Sequence, residues 1–175
     1  MERERQTRPL IYHRWGGLGN HRYQVGFSGD TFISWASLDY QTYFNSTASN
    51  VLYGYWSHDI GGHNQEGAND AELYLRWIQY GVFSPILRTH ATAAGHIERR
   101  IWKYANFEQM RDAIYLRYAL IPYIYTMARW SYDTGVGMCR PMYYDYPEAD
   151  EAYRYEGQYM SVSYTHLRAH ETRSN

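Results

Sequence analysis

Four stretches of this chain end in residues that can move protons or hold a polar ligand. Arg14 follows Leu10-Ile11-Tyr12-His13, Asp30 follows Val25-Gly26-Phe27-Ser28-Gly29, His58-Asp59 follows Tyr55-Trp56-Ser57, and Arg88-Thr89-His90 follows Ile86-Leu87. A carboxyl can give or take a proton, a guanidinium presents a rigid fork of donors, and a neutral imidazole offers one donor and one acceptor. Asp30, behind the pliant Gly29, serves either as an acid or base or as the N-cap of a nearby helix. Asp59, before Ile60-Gly61-Gly62, either meets a ligand or a neighbouring side chain, or closes an Asx turn. Arg88 and His90 are two apart in an extended run and therefore share a face, where they bind polar ligand groups or pair with a carboxylate. His58, Asp59 and His63 are residue types that ligate zinc. Two histidines five apart on a glycine loop lack the fixed geometry of ligands on a helix face, so no metal or other cofactor is expected. Trp15, Phe27, Tyr55 and Trp56 either stack on a ligand or belong to the core.

These residues can meet only if the segments carrying them are strands of one sheet. Residues 9–13 and 23–27 read as short strands, and from Ser34 the spacing of Trp35, Leu38, Tyr43 and Phe44 changes to one helical face that fades across 45–50. Residues 51–56 read as a buried strand, 70–81 as a helix ending at Gly81, and 86–90 as another strand. A loop over 91–105 leads into a long helix from Asn106 to about residue 133, kinked by Pro122, and 142–146 reads as a strand. Strand, polar exit loop and helix in repetition indicate an α/β fold with parallel strands, where chemistry gathers at the C-terminal strand ends. All four stretches above lie at such exits.

Composition narrows the partners. The 175 residues suffice for one domain but are short of a whole (β/α)8 barrel, which takes about 250. With 17 basic and 18 acidic residues, no overall field attracts nucleic acid or anionic lipid, and the Arg99-Arg100 pair behind Glu98 reads as a solvated loop. The single cysteine, Cys139, excludes an internal disulfide and a cysteine-built metal cluster. Residues 1–8 are charged where a signal peptide needs an apolar stretch, and no run of about 18 apolar residues suggests a membrane-spanning segment. No compartment is implied. An aromatic content of 18%, with 21 tyrosines, suits carbohydrate subsites and interfaces as well as a tyrosine-rich core.

The run from Arg14-Trp15-Gly16-Gly17 to Phe27-Ser28-Gly29-Asp30-Thr31, with Ser34-Trp35, resembles the acid/base segment of glycoside hydrolase family 31, which contains α-glucosidases and α-xylosidases. The likeness continues through Ser57-His58-Asp59-Ile60-Gly61-Gly62, Glu72-Leu73-Tyr74-Leu75-Arg76-Trp77, Arg88-Thr89-His90 and Arg117-Tyr118-Ala119-Leu120-Ile121-Pro122, covering about residues 8–160. It implies that residues 1–160 are a partial catalytic domain, the C-terminal half of a (β/α)8 TIM barrel from about strand 5 to strand 8. It further implies a retaining mechanism on an oligosaccharide or α-glycoside, with two carboxyl groups about 5–5.5 Å apart. Asp30 falls on the general acid/base, Arg14 and His90 on residues that bind sugar hydroxyls, and Asp59 on an aspartate shaping the same pocket. Phe27 stands where many members carry Trp, and His63 where many carry Phe. An aromatic wall at Phe27 is expected to raise the pKa of the acid by desolvation. The nucleophilic aspartate is expected upstream, so the fragment alone should be inactive. Residues 161–175 are polar, lack a core face and resemble a translated sequencing-adapter read-through, so they are expected to be a non-native tail that adds nothing to the fold. A noncatalytic carbohydrate-binding or interaction module and a His/Asp metal hydrolase stand as alternatives.

Overall fold

Tyr12–His13 (β1), Val25–Phe27 (β2) and Trp56–Ser57 (β3) form a parallel sheet in the order β1-β2-β3 in the computed structural model. The structure describes residues 10–14, 17–64 and 69–161, with the backbone of 166–168. Gly26 is paired with Trp56, and a Cβ there would come within 2.7 Å of the indole, so the absent side chain makes room for the ring. The expected strand over 86–90 is reduced to two isolated parallel bridges, Ile86 with Ser57 of β3 and Thr89 with Ile60 beyond its end. The expected strand over 51–56 is shorter and later than its apolar run, because residues 48–51 continue the preceding helix as a 3-10 turn and Leu52 takes a left-handed φ of 67°.

Helices cover the sheet. Trp35–Thr47 (α1) is capped by Ser34, whose hydroxyl accepts from the amide of Ser37 at 3.1 Å. Ala71–Val82 (α2) is capped by Asp70, which accepts from the amides of Glu72 and Leu73. The core lies on α2: Leu73, Tyr74, Leu75, Trp77 and Ile78 are buried against Leu38, Ile60 and Met110. Full burial of Ile60, Ile78 and Met110 contributes about 1.5–3 kcal/mol each. The expected long helix is two, Phe107–Ala119 (α3) and Ile121–Thr134 (α4), parted at Leu120. Pro122 thus falls in the first turn of α4, where its missing N–H breaks no bond. Arg117 reaches back from α3 to the carbonyls of Val82, Ser84 and Pro85 at 2.5–2.9 Å, closing the end of α2 and fixing the approach to Ile86.

A second, antiparallel sheet comprises Cys139–Pro141 (β4), Gln158–Ser161 (β5) and His166–Arg168 (β6), with the short helix Glu151–Arg154 (α5) between β4 and β5. Met142–Tyr144 is a 3-10 turn rather than the expected strand, since the ladder with β5 is spent at Pro141 and the chain turns back, Asp145 N bonding Met142 O at 3.1 Å. The tail departs from expectation at four residues, Ser161, which ends β5 opposite Cys139, and the three of β6. His166–Arg168 pairs with β5, because a backbone ladder needs no apolar face, only extended chain beside an open edge. The other tail residues beyond Ser161 lie outside the described residues.

Candidate active site

Asp30 sits at the exit of β2, and because Ser34 caps α1, the carboxyl of Asp30 is not spent on a helix end. It pairs with Arg14, Nη1 to Oδ2 at 2.7 Å, with side chains 33% and 37% exposed. Gly29 adopts a φ of +83°, and a Cβ on it would meet Arg14 Cδ at 3.1 Å, so the close approach that glycine allows here is that of Arg14. The hydrogen bond from Arg14, aided by the fields of His63 and His90, holds the Asp30 carboxyl below its ordinary value. The expected upward shift from an aromatic wall is therefore absent: Phe27 is engaged elsewhere, and desolvation is outweighed by the guanidinium.

Asp59, at the exit of β3, is sealed. Its side chain has no exposed surface; Arg88 Nη2 donates to Oδ1 and His63 Nδ1 donates to Oδ2 at 2.7 Å. The same Nδ1 lies 3.8 Å from Asp30 Oδ1, and the His63 ring is 5.1 Å from that of His90. The Arg88 guanidinium lies over the rings of Tyr12 and Phe27 at 4.9 and 5.3 Å, and those two rings stack at 4.8 Å. Tyr12 donates from its hydroxyl to Ser57 Oγ at 3.1 Å, and burial raises its pKa. Arg14, Asp30, His63, Asp59 and Arg88 thus form one chain of contacts with His90 beside it. Within this chain of contacts each carboxylate is paired with a guanidinium, and the remaining donors and acceptors suit a neutral polyhydroxyl ligand.

His58 is absent from this group. Successive residues leave β3 on opposite sides, and His58 enters the helix layer, where Nδ1 donates to Gln41 Oε1 at 2.8 Å and Nε2 accepts from the Tyr80 hydroxyl at 2.7 Å. Burial pushes its pKa down to about 3, so it stays neutral and ties β3 to α1 and α2. Donor atoms of Asp59, His63 and His90 do lie within 4.8 Å of one another. Both Asp59 oxygens are already taken and Arg88 is in contact, so this trio is poorly suited to a dication.

The exit loops are laced to one another. His63 N and Asn64 N both bond Thr31 O, at 2.8 and 3.0 Å, and Ile33 N bonds Asn64 O at 2.7 Å. Ile60 N bonds Arg88 O at 3.0 Å and Thr92 N bonds His63 O at 3.2 Å. Gly62, at φ +80°, is essential to this closure: a Cβ would stand 2.8 Å from Ile33 Cα and 2.9 Å from Phe32 O. Two participants escape the sequence reading. Tyr12 precedes Arg14 by two, the same spacing that puts Arg88 and His90 together, and that signal was there to use. Arg99 is not in a solvated loop: only Arg100 is solvent-exposed and paired with Glu98, while Arg99 Nη2 donates to the carbonyls of Gly61 and Gly62. Trp15 lies outside the described residues.

Comparison with known proteins gives this cluster a context. Residues 1–127 match the model of the "Glycosyl hydrolases family 31 TIM-barrel domain". An α-xylosidase of Saccharolobus solfataricus is 33% identical over 163 residues, which cover 90% of this chain and 22% of that protein. A probable glucan 1,3-α-glucosidase of Arabidopsis thaliana is 35% identical over 154 residues, 87% of this chain and 16% of that protein. Among solved structures, a cycloalternan-degrading enzyme from Trueperella pyogenes superposes with a TM-score of 0.87 at 25% identity over 95% of this chain and 25% of its own. A family 31 dextranase of Flavobacterium johnsoniae superposes with a TM-score of 0.74 at 33% identity, covering 81% of this chain and 19% of its own. The chain thus spans about a fifth of the length of these relatives. Its motifs, its parallel α/β sheet and these matches agree: the chain belongs to glycoside hydrolase family 31, in the TIM-barrel domain of that family.

Proposed function

We propose that this segment supplies the acid/base side of the active site of a retaining α-glycosidase acting on α-glucosides, α-xylosides or related α-linked oligosaccharides. In this reading β1, β2, β3 and the 86–90 segment are strands 5 to 8 of the barrel, and the nucleophilic carboxylate comes from another part of the longer polypeptide. The observation that carries the reading is the contrast between two neighbouring aspartates: Asp30 is solvent-accessible and held by one guanidinium, whereas Asp59 is sealed between Arg88 and His63. Only Asp30 can reach a substrate oxygen.

Arg14 and His90 take sugar hydroxyls, and Asp59 orients Arg88 and His63 around them. His63 spends Nδ1 on Asp59, which leaves Nε2 for a hydroxyl. Phe27 supports Arg88 from below. In the free protein Arg14 keeps Asp30 ionised. A bound sugar that draws the Arg14 donors to its own hydroxyls relaxes that pull, so Asp30 can hold the proton it delivers to the departing glycosidic oxygen. With a glycosyl–carboxylate ester formed elsewhere in the site, Asp30 then takes a proton from water and completes the retaining double displacement. Relatives named α-xylosidase and glucan 1,3-α-glucosidase support the α-glycoside class.

The test uses the longer polypeptide carrying this segment, assayed on α-glucosides and α-xylosides with β-glucosides as control, the first-formed anomer being read by NMR. Turnover with retention supports the proposal. Oligosaccharide binding without turnover, unchanged in Asp30→Ala, would replace it with a noncatalytic binding module.

A further inference from the structure

We infer that Arg99 is a positioning residue of this site: its guanidinium fixes the Gly61–Gly62 turn and, through it, the placement of His63 and Asp59 against Asp30. The inference rests on the reading of the cluster as an acid/base and sugar-binding site. Arg99 Nη2 donates to Gly61 O at 2.9 Å and to Gly62 O at 2.6 Å, and Nη1 donates to Glu98 O at 2.8 Å. One face of the fork lies over the Tyr74 ring, with Cζ 5.0 Å from the centroid. Gly61 packs at the edge of this pair: a Cβ there would come within 2.7 Å of Arg99 Cζ and Nε and 2.9 Å of Tyr74 Cδ2. Glycine at 61 is thus the imprint of Arg99 as well as of its own φ of +102°.

Among the described residues no carboxylate lies within ion-pair distance of Arg99; its partners are carbonyl oxygens and an aromatic face. A half-buried cation held this way gives up hydration without a carboxylate in contact, and burial draws its pKa down against the opposing, smaller field of Asp59. What it supplies in return is geometry. The arm that aims it is itself pinned: the Tyr74 hydroxyl donates to Arg99 O at 2.8 Å, the Tyr104 hydroxyl to Glu98 O at 2.8 Å, and Asn69 Oδ1 accepts from Glu98 N at 3.0 Å. Tyr74 belongs to the buried face of α2, so the fork is referred to the core of the domain.

The turn it holds is two residues from Asp59 and adjacent to His63. Gly62 N bonds Asp59 O at 2.8 Å, and His63 N and Asn64 N bond Thr31 O, one residue from Asp30. A displaced turn therefore moves His63 relative to both carboxylates together. Lysine carries a single ammonium point and cannot lie as a plane over Tyr74 while bonding three carbonyls, so it should not substitute.

The experiment measures Arg99→Lys and Arg99→Met in the longer polypeptide beside Asp30→Ala, with rates normalised to the folded fraction. Displacement of the binding groups should lower kcat/KM by about 10²-fold. The loss should be equal on activated aryl glycosides and on unactivated oligosaccharides, because the sugar is misplaced while the proton donor is intact, whereas Asp30→Ala separates the two substrates. Methylguanidinium added to Arg99→Met should recover part of the loss. A Lys variant of near wild-type kcat/KM, or a loss that disappears on normalisation, overturns the positioning role. If Lys fails to fold, the Met variant is read by the same criteria. Absence of turnover in the unsubstituted protein would instead overturn the proposed function, so the two failures are distinct.

Discussion

Replacing Asp30 with Ala separates chemistry from stability. The Arg14–Asp30 pair is one-third exposed on both sides, and ion pairs of that kind are worth about 0–1 kcal/mol. Neither partner is left desolvated when the other is removed, so the melting temperature should move only slightly. The loss of a general acid, by contrast, costs about 10²–10⁴-fold, or roughly 3–5.5 kcal/mol of barrier. That cost depends on the leaving group. A poor alkoxide needs the proton as the bond breaks, while an activated aryl oxide departs almost without it. The assay compares kcat/KM on an α-linked disaccharide and on an activated aryl α-glycoside in the longer polypeptide, with azide added. The expected result is a large loss on the first, a much smaller one on the second, and an azide adduct among the products, since azide attacks the glycosyl intermediate without help from a base. Equal losses on both substrates with no azide product would refute the assignment, as would a stability loss beyond about 2 kcal/mol, which a pair this exposed cannot supply.

Arg14→Gln should raise the midpoint at which the Asp30 carboxyl titrates, read by carbon NMR; Arg14 holds it below 3.8 in the folded protein, so its contribution to stability is present above that value and is lost as pH falls through the depressed one, and the variant should lose this acid dependence. Gly62→Ala should destabilise by about 1–2 kcal/mol for the left-handed backbone and a further 1–3 kcal/mol for overpacking against Ile33, read from urea unfolding; a midpoint within error of wild type would mean that the two exit loops are not closed as described. His90→Ala should lower kcat/KM by a few kcal/mol, since hydroxyl contacts in this class tighten as the oxocarbenium ion forms, and an unchanged value would remove His90 from the sugar site.

What could be read in advance follows from the range of the interactions involved. The helix starts at 34 and 70 were legible from the change in residue spacing, and the structure seats a local cap at each, Ser34 and Asp70 satisfying amides two or three residues on. The shared face of Arg88 and His90, which both reach the Asp59–His63 cluster, was legible because strand alternation acts over two residues, and the identical spacing of Tyr12 and Arg14 could have been used the same way. The role of Arg99 was not, since its partners Gly61 and Gly62 lie 38 and 37 residues away and the adjacent Arg100 does behave as the solvated charge that the local pattern suggests. His58 misled for a related reason. Adjacent to Asp59 in sequence, it faces the helix layer, and its neutral state is created by burial there beside Gln41 and Tyr80, which only the fold brings near. The pKa of Asp30 depended likewise on which neighbour was closer, Arg14 or an aromatic ring.

The same geometry predicts that the 175-residue chain by itself has no glycosidase turnover. A retaining glycosidase needs a second carboxylate about 5–5.5 Å from the acid, with a free oxygen facing the anomeric carbon. Among the described residues Asp59 is the aspartate that shares a neighbour with Asp30, through His63 Nδ1 at 2.7 and 3.8 Å. It cannot act as the nucleophile. Its side chain has no exposed surface, each oxygen already accepts a charge-assisted hydrogen bond, and freeing one would strand Arg88 or His63 beside it. Protonation by Asp30 then leaves a developing oxocarbenium charge that Asp59 cannot capture. The measurement is turnover of activated aryl α-glucosides and α-xylosides by the purified chain, repeated with Asp59→Asn. Activated substrates are chosen because they ask least of the acid, so they would reveal a nucleophile if one were present. Turnover by the chain that is abolished in Asp59→Asn while the variant still folds would show that the sealed aspartate opens to substrate, and the division of labour argued from its burial would be wrong.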